Sequence, residues 1–300
     1  MADISLEIFP GEIFCVMGLS GSGKSTLVRH LNRLIEPTSG EVIVLGRDIM
    51  KITDNDLRDL RARRIGMVFQ HMALFPHRPV RDNVAFPLEV QGESKARRRK
   101  ISQNALSMVN LDGFEDRMPH ELSGGMRQRV GLARALASDP EILLMDEPFS
   151  ALDPLIRRQL QGLFLEISRR LKKTTVFITH DLEEAASLGD RIAIMKDGGV
   201  VQIGTPEEII MNPRSGYVAE FVRDISKLKY ARARAVMRDI KQWSGGIPED
   251  APRVDGGMNL SELVGLVSRH ESPVVITDSG IDAGVVSRDI LLRFMKKEAE

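Results

Sequence analysis

The sequence predicts an α/β protein, a mostly parallel sheet covered by helices, followed by a smaller α/β unit. Three observations predict it. Short apolar runs of strand length recur at Ile13 to Met17, Ile65 to Phe69, Ile142 to Met145 and Thr175 to Thr179, and such runs read as strands buried on both faces. Helical stretches separate them, the alternation that builds a parallel sheet. The composition then changes near residue 224, where a basic stretch (Lys227, Lys229, Arg232, Arg234, Arg238) precedes the breaks Gly245-Gly246-Ile247-Pro248 and Gly256-Gly257. The expected division is residues 1–223 and 224–300.

Composition narrows the function classes. A chain of 300 residues, 42% hydrophobic, can bury a large core. Lys+Arg and Asp+Glu are both 42, so no global field favours nucleic acid. Cys15, the single cysteine, falls in a core strand and reads as a small buried apolar side chain. The longest apolar runs reach about six residues, against roughly 20 for a bilayer span. The first residues, Met-Ala-Asp-Ile-Ser-Leu-Glu, are acidic where a signal peptide is basic.

In chain order, Ile4, Leu6 and Ile8 alternate with Ser5 and Glu7, a half-buried strand pattern, and Pro10-Gly11 is a turn. The run Ile13 to Met17 leads into Gly18-Leu19-Ser20-Gly21-Ser22-Gly23-Lys24-Ser25-Thr26, which fits G-x-x-x-x-G-K-[ST]. Leu27, Leu31 and Leu34 then mark one helical stripe. Strand, Gly-rich turn and helix is the context that pattern requires. Its backbone N–H groups and the helix N-terminus suit phosphate. Lys24 would reach the terminal phosphates, and Ser25 would ligate Mg²⁺. Val42 to Leu45 reads as a strand and Leu57 to Arg64 as a polar helix or turn.

The strand at 65–69 ends on Gln70; a glutamine there suits Mg²⁺ or an attacking water, with a polar strand cap as the alternative. His71 to Val80 mixes Phe75, Pro76, His77, Arg78 and Pro79, a docking surface or an ordinary loop. Residues 81–120 look helical. Within them Lys95-Ala96-Arg97-Arg98-Arg99-Lys100 has no interleaved aromatics and reads as a solvated helix face. Ser123 N-caps a helix opened by Gly124 and Gly125, a second anion-binding helix start or one without a ligand. The strand Ile142 to Met145 ends in Asp146 and Glu147; Asp146 is placed for a Mg²⁺ shell and Glu147 can polarise water. Ser150 to Pro154 turns into a helix, and Thr175 to Thr179 ends at His180-Asp181, where the histidine is structural or meets a γ-phosphate. Ile192 to Ile203 is a hairpin about Lys196-Asp197-Gly198-Gly199. Helices follow at 207–211 and 217–222. In the smaller unit a helix at 260–267, strands at 273–277 and 283–286 and a helix at 288–295 are expected.

Taken together, residues 1 to about 222 resemble the ATP-binding cassette (ABC) ATPases. The P-loop, the Q-loop Gln70, the signature at 122–126, Walker B with Glu147, the D-loop at 150–153 and the switch His180 stand in that family's order. The resemblance implies ATP and Mg²⁺ as cofactors. Gly18, Ser20, Gly21, Ser22, Gly23, Lys24, Ser25 and Thr26 would bind nucleotide. Ser25, Gln70 and Asp146 would hold the metal, and Glu147, His180 and Gln70 would be catalytic. It also implies a head-to-tail homodimer in which Ser123, Gly124 and Gly125 meet the γ-phosphate of the other copy and Asp153 communicates across the seam.

Two departures stand out. Met126 replaces the usual signature glutamine, and only Phe9 and Phe14 precede the P-loop as candidates to stack on adenine. The signature, the run Leu144 to Arg157 and the P-loop region Val16 to Pro37 look like the glycine betaine/proline betaine importers. That implies a permease partner contacted through residues 71–80, a substrate-binding protein met indirectly, no nucleic acid, and a peripheral place on the cytoplasmic face of the bacterial inner membrane. Residues 271–295 are similar to a CBS-type regulatory module, here single after a linker helix; a dimerisation tail is the alternative. An amino-acid importer ATPase and a soluble ABC ATPase are the rival readings. A mainly regulatory protein is a third, with salt or anionic lipid acting on the basic stretch at 227–238.

Overall fold

The computed structural model describes residues 1, 3–70 and 72–299, with side chains through residue 296. It divides into two compact units, Met1–Ile203 and Gly204–Glu300.

The first unit is built on one six-stranded sheet. Its strands are β1 (Ile13–Met17), β2 (Ile65–Val68), β3 (Ile142–Asp146), β4 (Thr174–Thr179), β5 (Arg191–Lys196) and β6 (Gly199–Gly204). They lie side by side in the order β2-β3-β4-β1-β5-β6. The ladders from β2 through to β5 are parallel. All five β1 residues are buried, as a strand with neighbours on both edges and helices on both faces requires. Phe14, Val16, Leu144, Val176 and Ile178 share one core with Leu27 and Val28 of the helix after the P-loop. Full burial of each such side chain contributes about 1.5–3 kcal/mol.

Register is what builds a site from this sheet. Val68 faces Met145, Asp146 faces Ile178, and Met17 faces Thr179. The carboxyl ends of β1 to β4 therefore lie level, and the residues that leave them emerge along one edge, where open α/β sheets bind ligands.

The connections follow local sequence rules. Gly23, in left-handed backbone at φ 99°, opens the helix Lys24–Leu31. Between β2 and β3 the helices Val80–Val90, Lys95–Met108 and Gly124–Ala137 pack on one another as a helical subdomain. Thr53, Ser94, Ser123, Asp153 and Asp181 each N-cap a helix through a side-chain oxygen. The hairpin turn is Asp197-Gly198, both at positive φ.

Three expectations change. Residues 4–8 keep the alternating burial, and Ile4, Leu6 and Ile8 pack against the core, but they form no strand, since both edges of β1 are already paired. The strand at 42–45 shrinks to Ile43–Val44 because Leu45 and Gly46 turn at positive φ to pair it with Arg47–Asp48. The division falls after Ile203 rather than after 223, so the helices Pro206–Met211 and Gly216–Val222 belong to the second unit.

The second unit holds a four-stranded sheet in the order Arg253–Asp255, Val274–Asp278, Ile281–Val286, Arg238–Asp239. The helices Leu260–Arg269 and Arg288–Ala299 accompany it. Ala231, Leu260, Leu263, Val274, Ile276 and Val286 share its core, with Met211 packed against them. The basic stretch is not the single linker helix expected: it breaks into Lys227–Tyr230 and Ala233–Val236, tied down by the fully buried Ala231 and Ala233. No helix among the described residues is long and apolar enough to cross a membrane.

A Cβ at Gly66 of β2 would sit 2.6 Å from the Ala135 carbonyl oxygen and 2.9 Å from Leu143 and Pro140. We expect Gly66→Ala to destabilise the chain by about 1–3 kcal/mol through overpacking. Denaturant unfolding checks it as a lower midpoint at constant slope.

Candidate functional site

The P-loop curls between β1 and the helix Lys24–Leu31. Gly18, Gly21 and Gly23 all have positive φ (155°, 80° and 99°). A Cβ at Gly18 would collide with the Met195 carbonyl oxygen and lie 2.6 Å from Ser22 Oγ, so only glycine lets the loop close this tightly. Ser22 is 4% exposed, and its hydroxyl has no hydrogen-bond partner among the described residues. A buried, unpartnered hydroxyl inside a ring of backbone amides suits a phosphate oxygen.

Lys24 is 5% exposed. Its Nζ donates to the carbonyls of Gly18 (2.8 Å) and Leu19 (3.0 Å) and lies 3.9 Å from Glu147 Oε1. Burial lowers its pKa, and the charges of Glu147 and Asp146 oppose that shift. Ser25 Oγ donates to Asp146 Oδ1 at 2.8 Å. A hydroxyl beside a carboxylate is a hard-oxygen pair of the kind Mg²⁺ takes, the remaining ligands being water and phosphate. No cluster of three or more His, Cys, Asp or Glu able to hold a metal alone occurs among the described residues.

Glu147 stands at the head of the site. It follows β3 in left-handed backbone, φ 43°, ahead of Pro148. Its carbonyl accepts from Ser150 N at 3.3 Å and Ser150 Oγ at 3.0 Å, which holds the turn. The carboxylate, 19% exposed, spans from Lys24 to His180, whose Nδ1 is 3.1 Å from Oε2. His180 follows β4 and is 57% exposed. The sequence thus expected Lys24, Ser25, Asp146, Glu147 and His180 at one place, and in the structure polar contacts join them in two groups, Ser25 with Asp146 and Lys24 with Glu147 and His180.

The other expected residues lie further out. Gln70 is exposed, two residues past β2. Ser123 is exposed with its Oγ accepting from Met126 N at 3.3 Å, while Gly124 and Gly125 open the helix. Asp153 is exposed and accepts from Ile156 N at 3.1 Å. Ser20 and Gly21 are exposed, and Thr26 is half-buried in the first helical turn. Phe14 is wholly buried, while Phe9 is partly exposed under the Arg191 guanidinium, 4.9 Å from its ring centre. Within the expected docking stretch His71 lies outside the described residues. Phe75 packs on Phe86 (4.7 Å between ring centres) beneath the Arg78 guanidinium.

Sequence reasoning missed two residues that shape these surroundings. Asn83, fully buried, accepts from Phe75 N at 2.7 Å and donates to the carbonyls of Phe75, Arg78 and Pro79, fixing the loop before its own helix. Arg157 donates to the Leu152 carbonyl at 3.2 Å and lies 3.9 Å from Asp181. It ties the turn ahead of Asp153 to the residue after His180. Both are polar side chains on helices, and nothing in their spacing separates them from solvated ones.

With the site in place, comparison with known proteins gives its family. The ABC transporter family model matches residues 1–150, half of the chain. The chain belongs to the ABC transporter family. The ABC chain is 48% identical over 296 residues to the trimethylamine N-oxide transport system ATP-binding protein TmoW of Ruegeria pomeroyi, covering 97% of this chain and 85% of that one. It is 55% identical over 232 residues to the glycine betaine transport ATP-binding protein OpuAA of Bacillus subtilis, covering 77% of this chain. It is 55% identical over 236 residues to the glycine betaine/proline betaine transport system ATP-binding protein ProV of Escherichia coli, covering 79% of this chain. The ABC chain spans only 56% of the length of OpuAA and 59% of ProV. Among solved structures it is similar to the dimeric bacterial ABC transporter cassette MJ0796 (TM-score 0.62, 38% identity, 67% of this chain and 88% of that one). The expected cassette fold is confirmed.

Glu184 gives the fold a pH dependence. It is buried in the first turn of the helix Leu182–Leu188, and Gln161 Nε2 donates to its Oε1 at 2.8 Å. Burial raises its pKa above 4.5, with hydrogen bonds from Thr179 and Gln161 opposing. The folded state therefore holds this proton longer than the unfolded state, and it loses stability as pH rises from 4.5 through the raised value. Glu184→Gln removes that loss. We expect it to raise the melting temperature more at about pH 8 than at about pH 4, as thermal unfolding at the two values checks.

Proposed function

We propose that this chain is the ATP-hydrolysing subunit of a bacterial importer for glycine betaine, proline betaine or related methylated amines, serving osmoprotectant uptake. The observation that carries it is the Glu147 carboxylate, held between Lys24 and His180 at the edge where the P-loop emerges. The names of the relatives, all transport ATP-binding proteins, support the same reading.

The reaction is in-line attack of water on the γ-phosphate of ATP. The P-loop amides and Lys24 bind the phosphates. Ser25 and Asp146, with Gln70, would hold Mg²⁺, which when bound neutralises charge on the phosphate oxygens. Glu147 takes a proton from the attacking water as its oxygen bonds to the γ-phosphorus, and the bond from that phosphorus to the bridging oxygen breaks, so that ADP and phosphate leave. His180 orients the carboxylate through Oε2, and Lys24 offsets its charge. A second copy completes each site: Ser123, Gly124 and Gly125 reach the nucleotide of the partner subunit, and Asp153 faces the seam. Exposure of the Ser123 and Asp153 side chains and a dimeric cassette among the similar structures support this. The permease would dock on the loop that Asn83 holds before Val80. The chain would sit peripherally on the cytoplasmic face of the inner membrane, and its C-terminal unit would serve as a single CBS-like regulatory module.

A second reading replaces betaine with trimethylamine N-oxide. It rests on the TmoW match, which alone among the three relatives above spans 97% of the chain. Glycine betaine and trimethylamine N-oxide each carry three methyl groups on a cationic nitrogen, so one cargo chemistry covers them.

We expect Glu147→Gln to retain nucleotide binding while turnover falls about 10²–10⁴-fold, the range for losing a general base. Equilibrium ATP binding beside phosphate release measures both, and full turnover would remove Glu147 from this role. For the cargo, the chain is assembled with the permease and binding protein that complete the proposed transporter. Betaine or trimethylamine N-oxide should stimulate its ATPase; stimulation by amino acids alone would replace the substrate class.

A further inference from the structure

Arg134 lies near the end of the helix Gly124–Ala137, in a run of buried residues. It is 9% exposed, and no carboxylate lies within ion-pair distance of it among the described residues. Burial without a counter-charge lowers its pKa. Its guanidinium instead forks onto two successive carbonyls of another segment: Nη1 donates to Ala73 O at 2.6 Å and Nη2 to Met72 O at 2.8 Å.

Met72 and Ala73 are both in left-handed backbone, φ 57° and 46°. Neither is glycine, so both conformations cost free energy and need an outside hold. The Met72 N–H donates back to the Phe69 carbonyl at 3.1 Å, closing the turn that carries Gln70. A lysine ammonium is a compact point charge on a flexible stem and does not reproduce the planar, pre-organised fork that meets these two carbonyls with separate nitrogens.

We propose that Arg134 is a positioning residue for Gln70: its guanidinium sets the shape of the turn that presents the glutamine and locks that turn to the helix whose first residues follow Ser123. This rests on the hydrolase reading above. One rigid helix, about 15 Å long from residue 124 to 134, then carries the Ser123 end, which serves the partner's nucleotide, and the clamp on Gln70, which serves its own. Displacement of either end moves the other.

The test is a double-mutant cycle on the full chain with Mg-ATP, using wild type, Arg134→Lys, Gln70→Ala and both together. Arg134→Lys should lower kcat about 5–10-fold with KM within about twofold, and cost less than about twofold when Gln70 is already alanine. Equal losses in both backgrounds, or a loss carried in KM, would overturn the proposal. Hydrogen exchange at 69–73 is read on the same proteins without turnover. Faster exchange there in Arg134→Lys, with the rest of the helix Gly124–Ala137 unchanged, is expected; unchanged exchange at 69–73 also overturns it. A wild-type chain that binds Mg-ATP without hydrolysing it refutes the hydrolase reading, while the exchange experiment still decides the clamp. Arg134→Ala serves as the harsher variant, and global unfolding of it leaves the lysine series to decide.

Discussion

The arrangement turns on one buried cation. Lys24 has almost no access to water, and a desolvated ammonium is costly unless its donors are satisfied and its charge is met. Two P-loop carbonyls satisfy the donors, and the acids that meet the charge come from another strand. Asp146 and Glu147 stand at the end of β3, which is separated from β1 by β4. Only a parallel sheet with its carboxyl ends level brings those acids to the lysine. His180, leaving the strand between them, then closes the group. The sheet register is therefore an electrostatic constraint as well as a packing one.

Glu147 shows how the site fixes a geometry the backbone disfavours. Its left-handed φ, just before a proline, is held by the Ser150 amide and hydroxyl on its carbonyl. Such strain at a strand end aims a side chain where regular β-structure would not point it. The carboxylate is consequently aimed by its own main chain before any ligand contributes.

Much of this was legible in the sequence because it is written in contiguous runs. The strands announce themselves as apolar runs, and the catalytic candidates sit immediately after them. What was not legible is the direction in which a polar side chain turns. Asn83, Arg134 and Arg157 look like ordinary helix-surface residues, yet each is turned toward backbone carbonyls, Asn83 and Arg157 in the loop just ahead of their own helices and Arg134 at residues 72 and 73. The one faint signal was Arg134 itself, a charge inside Val130-Gly131-Leu132-Ala133-Arg134-Ala135-Leu136, where every neighbour is small or apolar. Residues 4–8 misled in the opposite way: alternation reports which side of a segment faces the core, and a strand also needs a free edge to pair with. The division after Ile203 was hidden because it falls at the end of the strand Gly199–Gly204, in a stretch of ordinary composition, whereas the change near 224 reflects charge and not a gap in packing.

Cys15 lies at the middle of β1 with no exposed surface, and burial beside Glu184 and Asp190 pushes its thiol well above the ordinary range. The chain holds no other cysteine. The sulfur lies against Gly189, at the end of the helix Leu182–Leu188, so a thiol reagent can reach it only when the layer covering the central strand lifts. The rate of that single alkylation is a clock for opening of this face of the core, and a thiol introduced anywhere on the surface would report without a competing background.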